Sequence, residues 1–273
     1  MKERITITLE QDILEKLDSV IDGSMVKNRS HAIELYLKRC FESKVLKQAV
    51  LLVGGDLLIE QEGKDIHPFM ATINGETVLE HNIRLLTKYG VEEIIIPSNK
   101  KTEKSIRSVI GEGEHLGISV KYVLEKENLG SAGVIKLVSE FLTGPFIVLN
   151  TYELKEIDLK EMHEFHKKQK NLATIAITTT YSPEKYGVVV LNGNLVYTFI
   201  EKPVGNSPTN LISAGLYIFE PEIIKLIPEG FSRLEVDVFP KLASKENLSG
   251  FIFYGKWQDI KSEEDLENAI KYW

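Results

Sequence analysis

Two groups of side chains in this sequence have residue types and spacing that could do chemistry. Arg4, Thr6 and Thr8 occupy alternate positions near the start of the chain. On an extended strand they would share one side, from which Arg can pair with guanine edges and Thr can offer a hydroxyl or a methyl group to DNA bases. His163 and His166 have a spacing that could bind a metal ion on one helix face. Because the sequence places no further ligands near them, we interpret the two histidines as part of a solvated helix face.

The elements that must position the first group form a short N-terminal module. Residues 3–9 alternate between polar and apolar types, which predicts one half-buried strand. Apolar residues at helical spacing over residues 13–21 predict a helix that stops near the turn at residues 22–24, and a second helix is predicted with Ser30 as its N-cap. About 45 residues cannot bury a sufficient core alone. We therefore expect two chains to pair antiparallel through their strands.

This order of elements carries a resemblance to a known family. The segment Arg4-Ile5-Thr6-Ile7-Thr8-Leu9, then a helix, a turn with glycine and Lys27-Asn28-Arg29-Ser30, resembles the ribbon-helix-helix repressors of the Arc/MetJ/CopG superfamily over residues 2–42. The resemblance implies that Arg4, Thr6 and Thr8 enter the major groove of double-stranded DNA. It also implies phosphate contacts from Asn28, Arg29 and Ser30, assisted by Lys27. Residues 1–45 are thus predicted to be a DNA-binding and dimerisation module, the alternative being a dimerisation arm with a solvated strand face.

Composition limits the number of domains and the cellular compartment. A length of 273 residues favours one or two folded units. No run of eighteen apolar residues or signal peptide is visible, and the lone Cys40 cannot form an intramolecular disulfide, so we expect a cytoplasmic protein without membrane contact. The net charge of -7 argues against nucleic acid as a partner, but residues 1–48 are close to neutral, so the acidity belongs to the rest of the chain.

From Ala49 onward, predicted strands and helices alternate. Strands are predicted at residues 49–53, 93–97, 119–124, 146–149, 172–179, 187–191 and 214–219, with a helix at residues 78–89. Such alternation is typical of an α/β fold in which helices cover both faces of a mainly parallel, Rossmann-like sheet. Residues 48–273 are therefore predicted to form a second, larger domain.

Seven motifs in this larger region carry a second resemblance. They are Leu52-Val53-Gly54-Gly55, Ile73-Asn74-Gly75-Glu76-Thr77-Val78-Leu79-Glu80-His81, Asn128-Leu129-Gly130-Ser131-Ala132-Gly133, Tyr186-Gly187-Val188-Val189, Glu201-Lys202-Pro203, Ala214-Gly215-Leu216-Tyr217 and Gly255-Lys256-Trp257-Gln258-Asp259-Ile260. Through them residues 48–270 resemble the sugar-phosphate nucleotidyltransferases. Enzymes of that family join a nucleoside triphosphate to a sugar 1-phosphate and release pyrophosphate.

The resemblance implies a ligand pocket built from ten residues. Leu129, Gly130 and Ser131 would line a base site, Lys202 would receive a phosphate or carboxylate, and Tyr186 and Glu201 would orient a sugar. Gly54, Gly55, Gly215 and Asp259, which matches the second metal-binding aspartate of the family, complete the set. The alternative is that these segments persist only for their turns and packing, and Gly133 and Gly215 in particular for their conformation.

Three family features are missing from this sequence. The glycine, threonine and arginine that hold the triphosphate are replaced within Asp56-Leu57-Leu58-Ile59-Glu60, the catalytic lysine aligns with Pro68, and the first metal-binding aspartate aligns with Tyr152. Tyrosine is a poor ligand for Mg²⁺, which needs hard oxygen ligands. Glu153 lies one position along, but adjacent strand residues point to opposite faces. We therefore expect no catalytic residues, no metal ligands, no cofactor and no transferase activity.

Together the two resemblances predict a DNA-binding transcriptional regulator. Its degenerate nucleotidyltransferase-like domain would bind a nucleotide, sugar nucleotide or sugar phosphate, and the chain would act as a homodimer or higher homo-oligomer. One alternative is an active nucleotidyltransferase with an autoregulatory DNA-binding arm. Another is a scaffold in which the large domain assembles dimers into tetramers.

Overall fold

The computed structural model describes residues 6–21, 23, 26–42, 46–54 and 57–273. The chain divides into two compact units, Met1–Val45 and Leu46–Trp273, close to the predicted boundary. No helix in the described part of the chain combines the length and the apolar character needed to cross a bilayer.

The N-terminal unit contains two helices, α1 (Gln11–Ser19) and α2 (Arg29–Glu42), which confirms the two predicted helices. Asn28, rather than Ser30, caps α2, because the Asn28 Oδ1 accepts a hydrogen bond of 2.9 Å from the His31 N–H. Residues 6–10 form neither helix nor strand within one chain. The rest of the predicted strand, with Arg4, lies outside the described residues. A ribbon-helix-helix arrangement is therefore not shown, and sharing of a strand with a second chain stays a prediction.

The predicted DNA-contact residues that are described all lie on the surface of this unit. They are Thr6, Thr8, Lys27, Asn28, Arg29 and Ser30. The Arg29 guanidinium donates two hydrogen bonds of 2.6 Å to the Asp18 carboxylate, and these bonds lower the pKa of Asp18. Arg29 thus links α2 to the end of α1, and its predicted phosphate contact stays untested.

The larger unit contains fifteen strands and six helices among its described residues. Strands β1 to β15 are Gln48–Leu52, Ile59–Gln61, Lys64–Ile66, Thr72–Ile73, Glu76–Thr77, Glu93–Ser98, Ser119–Leu124, Phe146–Asn150, Glu153–Lys155, Ala173–Thr179, Gly187–Asn192, Leu195–Glu201, Leu211–Phe219, Leu248–Ile252 and Trp257–Asp259. Helices α3 to α8 are Val78–Lys88, Lys100–Ile110, Gly130–Leu137, Leu159–Gln169, Phe239–Ala243 and Glu263–Tyr272. All seven predicted strands and the predicted helix are confirmed, with ends shifted by a few residues.

The main sheet has nine strands in the order β10-β14-β12-β11-β13-β8-β1-β6-β7. Strands β8, β1, β6 and β7 are parallel, whereas β13 runs antiparallel to β8. Because β10 also pairs with β13, the strands β10, β14, β12, β11 and β13 close into a ring of pairings. The prediction of a mainly parallel sheet is wrong in this half, since the two-residue connection between β11 and β12 can only join antiparallel strands.

Apolar side chains on both faces of the sheet explain its central position. Along β1 all five residues are buried, and alternate residues enter different core clusters. Leu51 packs with Leu79 and Ile83 of α3 on one face. Val50 packs with Ile135 of α5 on the other face. Continuous burial is expected for a parallel strand covered on both sides.

A capping box fixes the start of α3 close to the carboxyl ends of the strands. The Thr77 Oγ1 accepts a hydrogen bond from the Glu80 N–H at 3.2 Å, and the Glu80 carboxylate accepts one from the Thr77 N–H at 2.8 Å. One turn later the buried Asn82 Nδ2 donates to the Thr151 carbonyl at 3.0 Å. Helix α3 therefore anchors the loop that follows β8.

The histidine pair on α6 is buried, so the expectation of a solvated face is wrong. The His166 Nδ1 lies 2.7 Å from the Thr174 Oγ1, and the His166 Nε2 lies 3.3 Å from Glu220 Oε1. Burial lowers the pKa of both His163 and His166 to about 4. The two imidazoles are thus neutral at pH 7 and belong to the packing between α6 and the sheet.

Candidate active site

Two adjoining cavities lie at the carboxyl ends of the parallel strands, where open α/β sheets usually bind ligands. The larger, of about 360 Å³, follows β1, β6 and β8, and the smaller, of about 130 Å³, lies beside β11, β12 and β13. Asn150, Tyr152 and Glu235 line both cavities. Groups bound in the two cavities would therefore meet at these three side chains.

The larger cavity contains part of the predicted base site. Gly54, Gly130 and Ser131 line it, together with Lys126 and Asn128. Leu129 lies next to this wall but packs into the core, and Gly55 lies outside the described residues.

Ser131 at this wall and Gly133, which lies outside the cavity lining, have internal structural roles. The Ser131 hydroxyl donates to Glu235 Oε2 at 2.8 Å and accepts from the Leu234 N–H at 2.9 Å, so it orients Glu235. Gly133 is needed for packing, because a Cβ there would lie 2.7 Å from the Gly230 carbonyl oxygen.

The residues predicted to bind the sugar phosphate lie around the smaller cavity. Tyr186, Glu201, Lys202 and Gly215 line it, and sequence reasoning missed Lys185, Glu235 and Lys261. Burial, followed by the nearby Glu235 carboxylate, raises the pKa of Glu201. Lys202 has a positive φ of 45°, a conformation that few non-glycine residues adopt. The cavity lining thus contains both ammonium groups and carboxylates.

A buried pair of carboxylates lies next to the smaller cavity. Glu153 on β9 is the register partner of Asp259 on β15, and each residue is only 4% exposed. The Glu153 carboxylate accepts hydrogen bonds of 2.9 Å from the Asn150 Nδ2 and from the Trp257 Nε1. The argument that kept Glu153 away from the site is therefore wrong. Glu153 is itself part of the cavity lining.

Gly215 makes room for this carboxylate. It has a φ of +58°, and a Cβ at this position would lie 2.5 Å from Glu153 Cδ. The pairing of β10 with β13 is irregular between Ile175 and Ile177, opposite the segment that holds Gly215. Gly215 is therefore required both for its backbone conformation and for its missing side chain.

Each of the two carboxylates has a lysine neighbour. The Lys261 Nζ lies 2.7 Å from Asp259 Oδ2, and the fully buried Lys155 Nζ lies 3.7 Å from Glu153 Oε2. Burial and then Glu153 raise the pKa of Asp259 to about 6. Burial lowers the pKa of Lys155, whereas Asp259 and Glu153 outweigh burial and raise the pKa of Lys261. The four groups together carry almost no net charge.

The resemblance aligns Tyr152 with the family's first metal-binding aspartate. A Cβ built on Gly54 would lie 3.4 Å from its ring, and the Lys261 Nζ lies 5.0 Å from the ring centroid. Enclosure by protein, followed by the charges of Glu153 and Asp259, raises the pKa of Tyr152 well above its ordinary value. The phenol is therefore neutral and separates the larger cavity from the carboxylate pair.

The residues at this site do not fit the Mg²⁺ that the resemblance implies. A neutral phenol replaces one carboxylate ligand, and the Lys261 ammonium binds Oδ2 of the other, so that only the Asp259 Oδ1 of this carboxylate remains without a hydrogen-bond partner among the described residues. Both Glu153 oxygens accept hydrogen bonds from protein donors. Within the described ranges, no group of three or more His, Cys, Asp or Glu side chains could hold a metal ion.

The fold and the paired cavities define a class of protein, and comparison with known proteins gives the same class. The family described as Nucleotidyl transferase matches residues 64–272. The chain therefore belongs to the nucleotidyl transferase family.

Individual relatives are more specific. The chain is 35% identical over 208 residues to mannose-1-phosphate guanyltransferase 2 of Candida glabrata, an alignment that covers 73% of this chain and 56% of the relative. It is 32% identical to mannose-1-phosphate guanyltransferase of Saccharomyces cerevisiae, covering 82% of this chain and 64% of the relative. The chain thus spans less than two thirds of the length of these relatives.

Solved structures share the fold. HddC from Yersinia pseudotuberculosis matches with a TM-score of 0.70 and 26% identity, covering 82% of this chain and 98% of that protein. The same protein complexed with GMP-PN matches with a TM-score of 0.69. A glucose-1-phosphate thymidylyltransferase from Bacillus anthracis, described as putative, matches with a TM-score of 0.72 at 18% identity, covering 82% and 94% of the two chains, which is a likeness of fold alone.

These relatives overturn the predicted function. The expectation of a DNA-binding transcriptional regulator without enzyme activity is wrong, because proteins matching most of the chain are named guanyltransferases. The expectation of no activity rested on the joint loss of three family features. Lys261 and Glu153 bring charged groups to the same place from positions outside those motifs.

Proposed function

We propose that this chain transfers a nucleotidyl group from a nucleoside triphosphate to the phosphate of a sugar 1-phosphate. GTP and mannose 1-phosphate are the first substrates to test, because the relatives' names specify them. The observation that carries the proposal is the junction of the two cavities at Asn150, Tyr152 and Glu235. One cavity has the volume for a nucleotide, and the other has lysines for a phosphate.

The reaction is a substitution at phosphorus. A phosphate oxygen of the sugar 1-phosphate attacks the α-phosphorus of the triphosphate, the bond from that phosphorus to the bridging α,β-oxygen breaks, and pyrophosphate leaves with the bonding electron pair. Negative charge spreads over the phosphoryl oxygens in the transition state, so the protein contributes mainly by positioning and electrostatic stabilisation.

The lysines of the smaller cavity supply this stabilisation. Lys185, Lys202 and Lys261 line the cavity that would hold the sugar phosphate. An ammonium group can donate up to three hydrogen bonds, so each can bind phosphate oxygens. If the nucleophilic phosphate is held close to the junction with the larger cavity, the two bound substrates react in an effectively unimolecular step.

The carboxylates of the smaller cavity suit sugar hydroxyls. Glu201 and Glu235 are hydrogen-bond acceptors on its walls, and Ser131 fixes the orientation of Glu235. Their spacing relative to the lysines would select a sugar whose hydroxyls reach both carboxylates while its phosphate meets the ammonium groups.

Pyrophosphate release by the full chain tests the proposal. With GTP, mannose 1-phosphate and MgCl₂ in the buffer, we expect pyrophosphate to form only when both substrates are present. Lys202→Met should lower kcat/KM by about tenfold to a thousandfold, the range typical for one lost electrostatic contact. Lys256→Met is the matched control, because Lys256 is half exposed, pairs with Glu156 and lines neither cavity. No pyrophosphate from any pair of nucleoside triphosphate and hexose 1-phosphate would overturn the proposal.

A further inference from the structure

Lys261 is held more firmly than a surface lysine. Its Nζ lies 2.7 Å from Asp259 Oδ2, and the centroids of the Tyr152 and Tyr186 rings lie 5.0 and 5.3 Å from it. Aromatic faces attract an ammonium group, and the carboxylate fixes its position. The side chain still keeps 39% of its surface accessible and lines the smaller cavity.

The Lys261 ammonium opposes the binding of a divalent cation at Asp259. Lys155 and Lys261 pair with the Glu153 and Asp259 carboxylates, which leaves the negative charge of the nearby Glu201 and Asp265 unpaired within this cluster. A metal ion that approached Asp259 would meet an ammonium group already bound to that carboxylate. Displacing Lys261 would cost the ion pair and the contacts with both tyrosine rings.

We propose that the Lys261 ammonium takes the role of the divalent metal ion at this site and directly binds the phosphate of the sugar 1-phosphate. As a contribution to catalysis this inference rests on the proposed function, whereas phosphate binding by Lys261 can be tested alone. Lys155 cannot act in the same way, because its Nζ is fully buried and does not line either cavity. One Lys261 donor serves Asp259, which leaves donors for an incoming phosphate.

Phosphate binding in the absence of metal is the first test. We would titrate mannose 1-phosphate into the full chain by calorimetry, in buffer with EDTA and in buffer with MgCl₂. The expected result is a Kd that agrees within about twofold in the two buffers. Lys261→Met should weaken binding in EDTA at least about tenfold, the usual effect of losing one charge-assisted hydrogen bond. Lys261→Arg should recover part of the affinity, and Lys256→Met should match the unmodified chain.

Metal binding gives an independent readout that does not require activity. Titration with Mn²⁺ followed by electron paramagnetic resonance should show no saturable site in the unmodified chain. Circular dichroism would confirm that each variant is folded.

Several results would overturn the inference. These are loss of mannose 1-phosphate binding in EDTA, absence of binding in both buffers, unchanged affinity in Lys261→Met, or saturable Mn²⁺ binding to the unmodified chain. If Lys261→Met does not fold, three measurements still test the inference: the comparison of EDTA with MgCl₂, the affinity of Lys261→Arg and the Mn²⁺ titration of the unmodified chain. If the proposed function alone fails, mannose 1-phosphate still binds in EDTA, but the full chain releases no pyrophosphate from the two substrates.

Discussion

Replacing Gly215 by alanine should cost far more stability than its backbone conformation alone explains. Gly215 and Gly193 have nearly the same φ, +58° and +59°, but their surroundings differ. A Cβ on Gly193 has nothing within 4 Å, whereas a Cβ on Gly215 would lie 2.5 Å from Glu153 Cδ. Gly193→Ala is therefore a control that measures only the cost of the left-handed backbone.

The expected magnitude follows from the contacts that Glu153 would lose. An L-residue in the left-handed region costs about 1–2 kcal/mol, which both variants share. The Glu153 carboxylate can rotate away from a new methyl group, but it then leaves its donors on Asn150 and Trp257. Hydrogen bonds to a charged group are worth about 1.5–3 kcal/mol each. Losing both bonds, Gly215→Ala should therefore destabilise the fold by about 3–6 kcal/mol more than Gly193→Ala.

Urea unfolding followed by far-ultraviolet circular dichroism measures both free energies. The indole of Trp257 gives a second signal, because it donates to Glu153, and its fluorescence should change in Gly215→Ala but not in Gly193→Ala. A difference between the two variants below about 0.5 kcal/mol would show that Glu153 does not need the space above Gly215, since smaller differences are typical of substitutions without a structural effect.

Three further predictions concern charge and capping. The folded-state pKa of His163 and His166 is about 4, below the unfolded value of 6.5, so the stability that their neutral forms contribute is present above pH 6.5 and is lost as the pH falls towards 4. Lowering the pH from 7 to 5 should reduce the free energy of unfolding in urea by about 2 kcal/mol per histidine. His166→Asn should remove about half of this pH effect. Glu153→Gln should destabilise the fold by about 3–5 kcal/mol by leaving the buried Lys155 ammonium without its paired carboxylate, and adding Lys155→Met should restore much of this loss. Equal stability of the single and double variants would contradict the ion pair. Thr77→Ala should cost about 1 kcal/mol by opening the capping box of α3, and an effect no larger than that of Thr87→Ala in the last turn of the same helix would refute this.

Much of the larger unit could be predicted from local pattern. Strand β7 has the predicted ends, and α3 begins at the predicted residue, because the apolar pattern of a strand and a capping box both act over a few residues. Strand β12 was missed although it follows β11 after only Gly193 and Asn194. Because β12 was not predicted, the hairpin of β11 and β12 was not predicted either, and the sheet was expected to be mainly parallel. Pairing between distant strands is decided by the whole chain and leaves no local signal.

The site was harder to predict because its charges come from outside the expected positions. Glu153 was excluded by the alternation rule for strands, but β9 is only three residues long and the gap above Gly215 admits its side chain. Lys261 carried one signal that sequence reasoning did not use, namely its spacing two residues after Asp259. Glu235 had none, because only the contact of its carboxylate with Ser131, 104 residues away, brings it to the site.

The closed ring of β10, β14, β12, β11 and β13 determines how this half of the sheet can come apart. An open sheet frays from its outer strands, whereas this ring has no outer strand but is closed at two places by a single residue pair, Val188 with Ile212 and Leu195 with Ser249. Separation should therefore start at these two places, and amide hydrogens of β11 and β12 should exchange with solvent sooner than those of β10, which pairs along most of its length with β13 and β14. Strand β7, which ends the open side of the described sheet, should exchange first and at lower cost.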